Sequence, residues 1–274
     1  MRFTLYFLLT FHLSIAQKNL SGTITDASGK PVPFASIGLC GKSTGTLSGE
    51  DGKFSLTAWF KEQDSLKIQA IGFKTQTLPV KNMISREILI RLESEPTMLE
   101  EVVVNPKKIK YQVLGTTKYS KNNCTGFVSN DNNWKGSETA IIAGNKDGRT
   151  VKLESFSFFI IKNNYSDSIL FRLMFYEVSE KGYPRRASFL RKPIFFRVGI
   201  KQGEFTLDLK DYNITTSKNF FVSLECLMDE MDIVQFCYAG SYSTPSFVKA
   251  SPFLPWTRVK GGGADFNIKV SYFK

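Results

Sequence analysis

The sequence contains a single histidine, His12, which lies inside an apolar run near the N-terminus. Imidazole is the base of Ser-His-Asp and Cys-His catalytic arrangements and a common ligand of zinc and non-haem iron. These chemistries are therefore excluded once the run that holds His12 is removed. We predict a protein that is not an enzyme and that has no catalytic residue, no metal ion and no cofactor.

Cysteine is also scarce, with four residues and no Cys-x-x-Cys pair, which argues against a structural zinc site. In an oxidising compartment an even number of cysteines favours disulfides. Cys226 and Cys237 flank an acidic turn, and a hairpin there would place them nearly opposite each other. This position makes Cys226 and Cys237 candidates for a disulfide, and the alternative is two small buried side chains, which is the commoner fate of cysteine. Cys40 and Cys124 fall in different predicted domains, so we do not expect them to pair.

Long apolar runs are absent after Gln17, so no later segment approaches the length of about 20 residues that spans a membrane. The first 16 residues have the order of a secretory signal: Arg2, an apolar stretch, and small residues ending at Ala16. No cysteine follows Ala16 directly, which argues against a lipoprotein anchor. We predict a signal peptide over residues 1–16 and export to the periplasm, the outer membrane or the cell surface.

Acidic residues are in the minority, since 25 Asp and Glu face 36 Lys and Arg and give a formal net charge of +11. Cleavage after Ala16 removes Arg2 and no acid, which leaves +10. Such a charge draws an exported protein toward acidic glycans, lipid phosphates or a membrane surface, where peripheral contact is expected. Nucleic acid is not an expected partner outside the cytoplasm. The alternative is a solvated basic surface without a specific partner.

A helical period is missing throughout, whereas 24 Phe and 10 Tyr suit strands. We therefore predict an all-β protein of two domains, each a sandwich. The proline and charge run before Tyr111 marks a boundary. The predicted organisation is a first domain at 17–95, a linker at 96–110 and a larger second domain at 111–274. Strands of the second domain are predicted at 150–161, 169–178, 187–198, 204–209, 219–227, 233–238 and 266–273.

Spaced glycine, proline and aspartate positions in the first domain form a pattern. They are Ser21, Gly22, Thr23, Asp26, Gly29, Lys30, Pro31, Val32, Pro33, Ala35, Gly45, Thr46, Asp51, Gly52, Phe54, Gly72 and Phe73. Over roughly residues 18–93, this pattern resembles the carboxypeptidase-regulatory-like domain. The resemblance implies a transthyretin-like seven-stranded β-sandwich. It also implies an accessory role, because the metal and catalysis of the namesake carboxypeptidases belong to a different domain.

Similar modules precede the plug of outer-membrane nutrient receptors, where a short TonB-binding segment follows. Residues 98–104 are similar to that segment. About 170 residues remain after it, which is too few for a plug and a large barrel. We therefore expect an ordinary linker strand here, with a role as accessory to a TonB-dependent outer-membrane transporter as an alternative.

The second domain is loosely similar to jelly-roll sandwiches of the carbohydrate-binding kind, through residues 171–176, 182–184 and 206–209. Aromatic residues beside basic ones in or near its turns are candidate ligand-binding residues. They are Trp134, Tyr183, Arg185, Arg186, Trp256 and Arg258. An exposed ring can stack on a sugar, and arginine can bind a carboxylate or phosphate with two hydrogen bonds. The alternative is that these rings close the ends of the sandwich.

Carboxylate pairs could still hydrolyse glycosides without histidine. Glu154, Glu177, Glu180 and Asp208 are available, but their spacing singles out no pair. We therefore predict an exported, non-catalytic cell-envelope protein that serves as a structural or binding module for glycan or an envelope protein. A carboxylate-dependent carbohydrate-active enzyme, or an accessory module of one, is the alternative.

Overall fold

The structure is a computed structural model that describes residues 17–83, 87–95, 108–127, 134–229, 235–242 and 245–273. Across these residues the chain is all-β, with two short 3-10 turns and no α-helix. The predicted fold class is confirmed. None of the described helical segments is long and apolar enough to cross a membrane. The predicted signal peptide at 1–16 and the TonB-like run at 98–104 lie outside the described residues.

The first domain contains seven strands and one 3-10 turn at Val80–Asn82. The strands are β1 (Lys18–Asp26), β2 (Ser36–Leu39), β3 (Gly45–Leu47), β4 (Lys53–Ala58), β5 (Ser65–Gln69), β6 (Gln76–Pro79) and β7 (Ile88–Leu92). They form a three-stranded sheet of order β4-β1-β7 and a four-stranded sheet of order β3-β2-β5-β6. Alternate apolar residues such as Ile24, Ile37 and Leu56 fill the space between the sheets. The seven-stranded sandwich is thereby confirmed.

The second domain contributes the remaining strands and a 3-10 turn at Lys210–Tyr212. The strands are β8 (Ile109–Gly115), β9 (Cys124–Thr125), β10 (Glu138–Ala143), β11 (Val151–Asn163), β12 (Ile169–Val178), β13 (Pro184–Ser188), β14 (Ile194–Val198), β15 (Gly203–Asp208), β16 (Thr215–Thr216), β17 (Phe220–Cys226), β18 (Phe236–Ser241), β19 (Ser246–Lys249), β20 (Thr257–Val259), β21 (Gly263–Ala264) and β22 (Phe266–Phe273).

Two sheets pack face to face in this domain. The seven-stranded sheet has the order β13-β12-β17-β10-β19-β20, with β14 also paired to β12. The eight-stranded sheet has the order β21-β18-β11-β22-β8, with β15 and β16 paired to β11 and β9 paired to β18. Aromatic rings from both sheets meet between them, as Phe171 and Phe236 do at 5.6 Å. The long strands β10, β11 and β12 alternate between the sheets, in the manner of a jelly-roll-like sandwich.

The disulfide of the second domain joins Cys124 on β9 to Cys237 on β18, with the Cα atoms 5.6 Å apart. The predicted Cys226–Cys237 disulfide is therefore wrong. Cys226 ends β17 in the seven-stranded sheet, while β18 belongs to the eight-stranded sheet, so the two cysteines do not share a hairpin. Cys226 lies instead in the apolar core, where burial raises the pKa of its thiol to about 12.

Candidate functional site on the seven-stranded sheet

Four charged residues form a row across the outer face of the seven-stranded sheet, which we call the charged row. Arg172 on β12 lies opposite Glu225 on β17, and Glu225 lies opposite Glu138 on β10. Glu138 in turn lies opposite Lys249 on β19. All four are at least nine-tenths buried, with exposures of 4%, 1%, 1% and 9% in that order. Charges this deeply buried are rare unless they are paired.

Each carboxylate of the charged row has its own cation. The Arg172 guanidinium donates from Nε and Nη2 to the two oxygens of Glu225, at 2.5 Å and 2.9 Å. Glu138 forms an ion pair with Lys249 and accepts hydrogen bonds from Tyr176 at 2.7 Å and Ser223 at 2.9 Å. Like charges directly opposite each other destabilise a sheet, so two adjacent glutamates require this compensation.

The electrostatics of the charged row follow from its burial. Burial raises the pKa of Glu225, while the guanidinium of Arg172 acts in the opposite direction. Burial disfavours the charge on Arg172, but Glu225 beside it raises the pKa of the guanidinium overall. Burial and the neighbouring Glu138 hold the pKa of Tyr176 well above its usual value, so its hydroxyl remains a donor. Each carboxylate of the row is therefore both hydrogen-bonded and paired with a cation.

The first domain closes one end of the charged row. Arg172 donates from Nη1 to the backbone carbonyl of Phe34, at 2.7 Å. Phe34 adopts a φ of 52°, which is uncommon for a residue with a side chain and turns this carbonyl toward the second domain. Its ring lies 5.2 Å from the ring of Phe195 on β14. Leu47 and Leu170 pack beside them from the two domains.

A second contact between the domains involves a glycine pair. The ring of Phe253, in the loop before β20, packs against Gly38 on β2 and Gly45 on β3. A Cβ atom at either position would collide with this ring, so only glycine permits the approach. We call this contact the glycine notch. A third contact between the domains is exposed to solvent: Arg197 of the second domain and Glu50 of the first form an ion pair at 2.8 Å.

Two of the predicted ligand-binding residues meet on the same sheet face. The Tyr183 ring lies 5.2 Å from Phe247, and Phe247 lies 4.9 Å from Phe221. The Trp256 ring lies 5.6 Å from Tyr176, and Lys249 Nζ lies 4.9 Å from the Trp256 ring centre. We call these five rings the aromatic cluster. It borders the charged row through Tyr176 and Lys249.

The other four predicted ligand-binding residues are not part of the aromatic cluster. Arg258 on β20 is exposed and lies opposite Phe247. Arg185 is exposed and forms an ion pair with Glu177 at 3.4 Å. Arg186 follows in β13, but its side chain lies outside what the structure describes. Trp134 packs against the core between the two sheets, where the alternative interpretation places it. A ligand-binding role for these residues stays a prediction.

The four acids considered in the sequence do not include the carboxylates of the charged row. Glu154 is buried and accepts a hydrogen bond from Ser271, while Asp208 pairs with Lys210 at 3.2 Å. Glu177 binds Lys218 as well as Arg185. No sequence signal marked Glu138 and Glu225, because an isolated acid in a strand is ordinarily a solvated surface residue.

Comparison with known proteins agrees with the fold of the first domain. The family model of the CarboxypepD_reg-like domain matches residues 20–104. The first domain is a CarboxypepD_reg-like domain. The resemblance stated from its glycine, proline and aspartate positions is confirmed. The family model ends within residues 96–107, which lie outside the described part of the chain.

Two curated relatives are TonB-dependent receptors. The chain is 32% identical over 112 residues to TonB-dependent receptor SusC of Bacteroides thetaiotaomicron, covering 41% of this chain and 10% of that protein. It is 36% identical over 90 residues to TonB-dependent receptor P39 of Formosa agariphila, covering 32% of this chain and 8% of that protein. The chain spans a tenth or less of these relatives. The similarity supports an envelope-associated accessory module.

Among solved structures, the chain is similar to BcpA, the major pilin subunit of Bacillus cereus. The TM-score is 0.22 at 10% identity, and the alignment covers 90% of this chain and 68% of that one. At this level the similarity carries no argument about fold or function.

Proposed function

We propose that this protein is an exported, non-catalytic module of the cell envelope that binds glycan or a protein partner through the rim of its aromatic cluster. The observation that carries the proposal is the meeting of Tyr183 and Arg258 around Phe247. Tyr183 comes from the turn before β13 and Arg258 from β20, yet both flank the same buried ring. Tyr183 is 37% exposed and Arg258 is exposed. An exposed ring and a guanidinium on the same sheet face suit an acidic sugar.

The charged row supports a binding role over the carboxylate-enzyme alternative. Glu138 and Glu225 lie directly opposite each other, as a carboxylate pair could. Both are fully buried and each is neutralised by its own cation. A hydrolytic pair needs one free acid and one free base beside the substrate. These two carboxylates bind Arg172 and Lys249 instead, and Arg172 in turn binds the first domain through the carbonyl of Phe34.

A second candidate function is favoured by the relatives. Both are TonB-dependent receptors, similar to this chain over 112 and 90 residues. The protein would then act as an accessory to such a transporter, with its first domain as the shared element. Pull-down of a receptor from envelope extracts by the full chain, lost on deletion of residues 98–104, would support this alternative.

The glycan site is tested with the exported chain on a glycan array at low and at high salt. We expect selective binding to one class of acidic glycan that persists at about 0.5 M salt, where exposed charges are screened beyond a few ångströms. Tyr183→Ala and Arg258→Ala should each reduce this binding at least tenfold. Tyr212→Ala, which removes a ring of similar exposure (39%), is the matched control and should bind as the parent does. Binding that disappears with salt in every variant would reflect only net charge and would overturn the proposal.

A further inference from the structure

The corner of the eight-stranded sheet formed by β8 and β22 exposes a group of large apolar side chains. Ile109, Tyr111 and Val113 on β8 are 51%, 59% and 43% exposed, and Phe273 on β22 is 45% exposed. Alternate residues of a strand point to the same face, so the three β8 side chains lie in line. Ile109 lies directly opposite Phe273. We call these four residues the apolar corner.

This concentration is unusual for the rest of the described surface. The other exposed large apolar residues are spread over both domains, at Trp59, Leu89, Ile142, Tyr183, Ile200, Tyr212 and Tyr242. Single exposed apolar side chains are ordinary, whereas a contiguous patch bordered by polar residues marks an interaction surface. The apolar corner is such a patch.

Lysines border the apolar corner. Lys269 lies opposite Val113 on the same face, with its Nζ 4.8 Å from the centre of the Tyr111 ring. Lys152 lies opposite Ser271 on the next strand. Of the acids on the neighbouring strands, Asp208 pairs with Lys210, and Glu154 is buried and accepts a hydrogen bond from Ser271. Lys152 and Lys269 therefore outnumber Glu154, the one carboxylate beside the apolar corner that forms no ion pair among the described residues.

We propose that the apolar corner and its lysines bind the surface of an anionic lipid bilayer. Apolar side chains that enter the headgroup region, flanked by lysines that meet anionic lipids, are the combination that holds peripheral proteins on membranes. The first domain docks on the outer face of the seven-stranded sheet, so the apolar corner on the opposite sheet stays accessible. This surface is separate from the aromatic cluster, and the two proposals can fail independently.

Two other occupants fit less well. A second copy could pair with the edge strand β8, but this strand carries the exposed Lys110, and lysine on an edge strand opposes such pairing. A sugar stacks on rings, whereas Ile109 and Val113 are aliphatic. The lysines favour an anionic surface, and the aliphatic residues favour one that accepts apolar side chains.

The test is flotation of the exported chain with vesicles of phosphatidylcholine alone and of phosphatidylcholine with one quarter phosphatidylglycerol. We expect binding to the anionic vesicles only, with a part of it retained at high salt because of apolar insertion. Lys152→Glu/Lys269→Glu should lower the partition coefficient at least tenfold. The control Lys30→Glu/Lys181→Glu makes the same change in net charge on exposed residues elsewhere and should lower it less than threefold.

The apolar part is tested in the same assay. Ile109→Ser/Val113→Ser should abolish the salt-resistant fraction, while Leu89→Ser/Ile200→Ser should retain it. Phe273→Ser leaves β8 unchanged and should also lower the salt-resistant fraction. It takes the place of the double variant if that variant folds poorly. Equal binding to both kinds of vesicle, equal losses in test and control pairs, or a salt-resistant dimer that forms through β8 without vesicle binding would overturn the proposal.

Discussion

At the scale of single residues, Arg172 is the side chain on which the charged row depends most. Arg172→Met would leave Glu138 and Glu225 buried with only Lys249 to compensate them. We expect the free energy of unfolding in urea to fall by about 3–5 kcal/mol, as when one partner of a buried ion pair is removed. Arg185→Met, which loses only an exposed contact with Glu177, should cost less than about 1 kcal/mol.

A double variant separates pairing from packing in this prediction. Arg172→Met/Glu225→Met removes both charges of the bidentate pair and should recover most of the stability lost in Arg172→Met. Equal losses in Arg172→Met and Arg185→Met would contradict a structural role for the row.

Asp265 predicts a pH dependence of stability. Its carboxylate is fully buried, and Oδ1 has no hydrogen-bond partner among the described residues, while Oδ2 accepts from the backbone N–H of Ser120 at 2.7 Å. Burial raises the pKa of Asp265 above its usual value. A raised native pKa means that this group stabilises the protein most at low pH and that the contribution is lost as pH rises through the native pKa.

Asp265→Asn cannot ionise and should therefore gain stability relative to the parent as the pH rises from about 4, the ordinary pKa of Asp, toward neutral pH. The measurement is a series of urea unfolding curves across this range. Asp208→Asn is the control with the opposite sign, because hydrogen bonds and the charge of Lys210 lower the pKa of Asp208. A flat difference between Asp265→Asn and the parent would show that burial does not perturb this carboxyl.

The residues of the charged row show where sequence analysis stops. Alternation along β17 assigns Phe220, Val222 and Leu224 to the core and Glu225 to the outer face, which is correct. The outer face is nonetheless buried here, because the first domain and the loop that carries Phe253 cover it. Which outer faces are covered depends on domain docking, and no local pattern contains that information. Tyr183 and Trp256 could be noticed as aromatic residues near turns, but their common position depends on the same topology.

At the scale of elements, the glycine notch fixes β2 and β3 against the loop that carries Phe253. Gly38→Ala places a Cβ against that ring, and overpacking of this kind costs about 1–3 kcal/mol. We expect that loss in urea unfolding and faster proteolysis between the domains. Gly144→Ala is the control, since its Cβ would have no neighbour closer than 3.9 Å. Phe253→Ala in the Gly38→Ala background should relieve the collision, and independent, additive effects would argue against the contact.

The disulfide between β9 and β18 closes a long loop, so its removal is expected to lower the free energy of unfolding considerably. Cys124 and Cys237 are separated by 113 residues. Closing a loop of about 100 residues removes up to about 4.7 kcal/mol of unfolded-state entropy, and measured losses are typically about 2–5 kcal/mol. Cys124→Ser/Cys237→Ser should therefore lower the free energy of unfolding by an amount in this range. Cys40→Ser, at an exposed position, should change it by less than about 0.5 kcal/mol. A loss in Cys124→Ser/Cys237→Ser as small as that of Cys40→Ser would contradict the pairing.

Strands were predictable from the sequence where nearly every residue is apolar because the strand is buried. Strands β12 and β22 coincide with the predicted ranges 169–178 and 266–273, because both are dense in apolar and aromatic residues. Strand β10 was not predicted, because it starts with Glu138, and a glutamate ordinarily indicates a solvated position. This glutamate can be buried here because it is paired within the charged row. Strand β8 was not predicted either, because it is an edge strand with mostly exposed side chains.

At the scale of the whole molecule, the two domains share apolar contacts as well as the charged row. Phe34 and Leu47 of the first domain pack with Leu170 and Leu227 of the second, and Ile71 packs beside the aromatic cluster. Domains joined only by a linker are expected to move and to unfold separately, whereas an apolar interface with buried charges couples them. The architecture therefore predicts one unfolding unit.

Calorimetry of residues 17–274 tests this coupling. We expect one transition whose calorimetric and van't Hoff enthalpies agree, because neither domain can unfold without leaving Arg172 or the ring of Phe253 uncovered. Gly38→Ala combined with Arg172→Met should split this transition into two, since it removes both contacts while leaving the core of each sandwich intact. Arg185→Met combined with Gly144→Ala changes the same residue types away from the interface and should keep a single transition. Two transitions in the parent chain would mean that the docked arrangement does not couple the domains. The covered face of the seven-stranded sheet would then open independently, and the aromatic cluster would be exposed well beyond the rim formed by Tyr183 and Arg258.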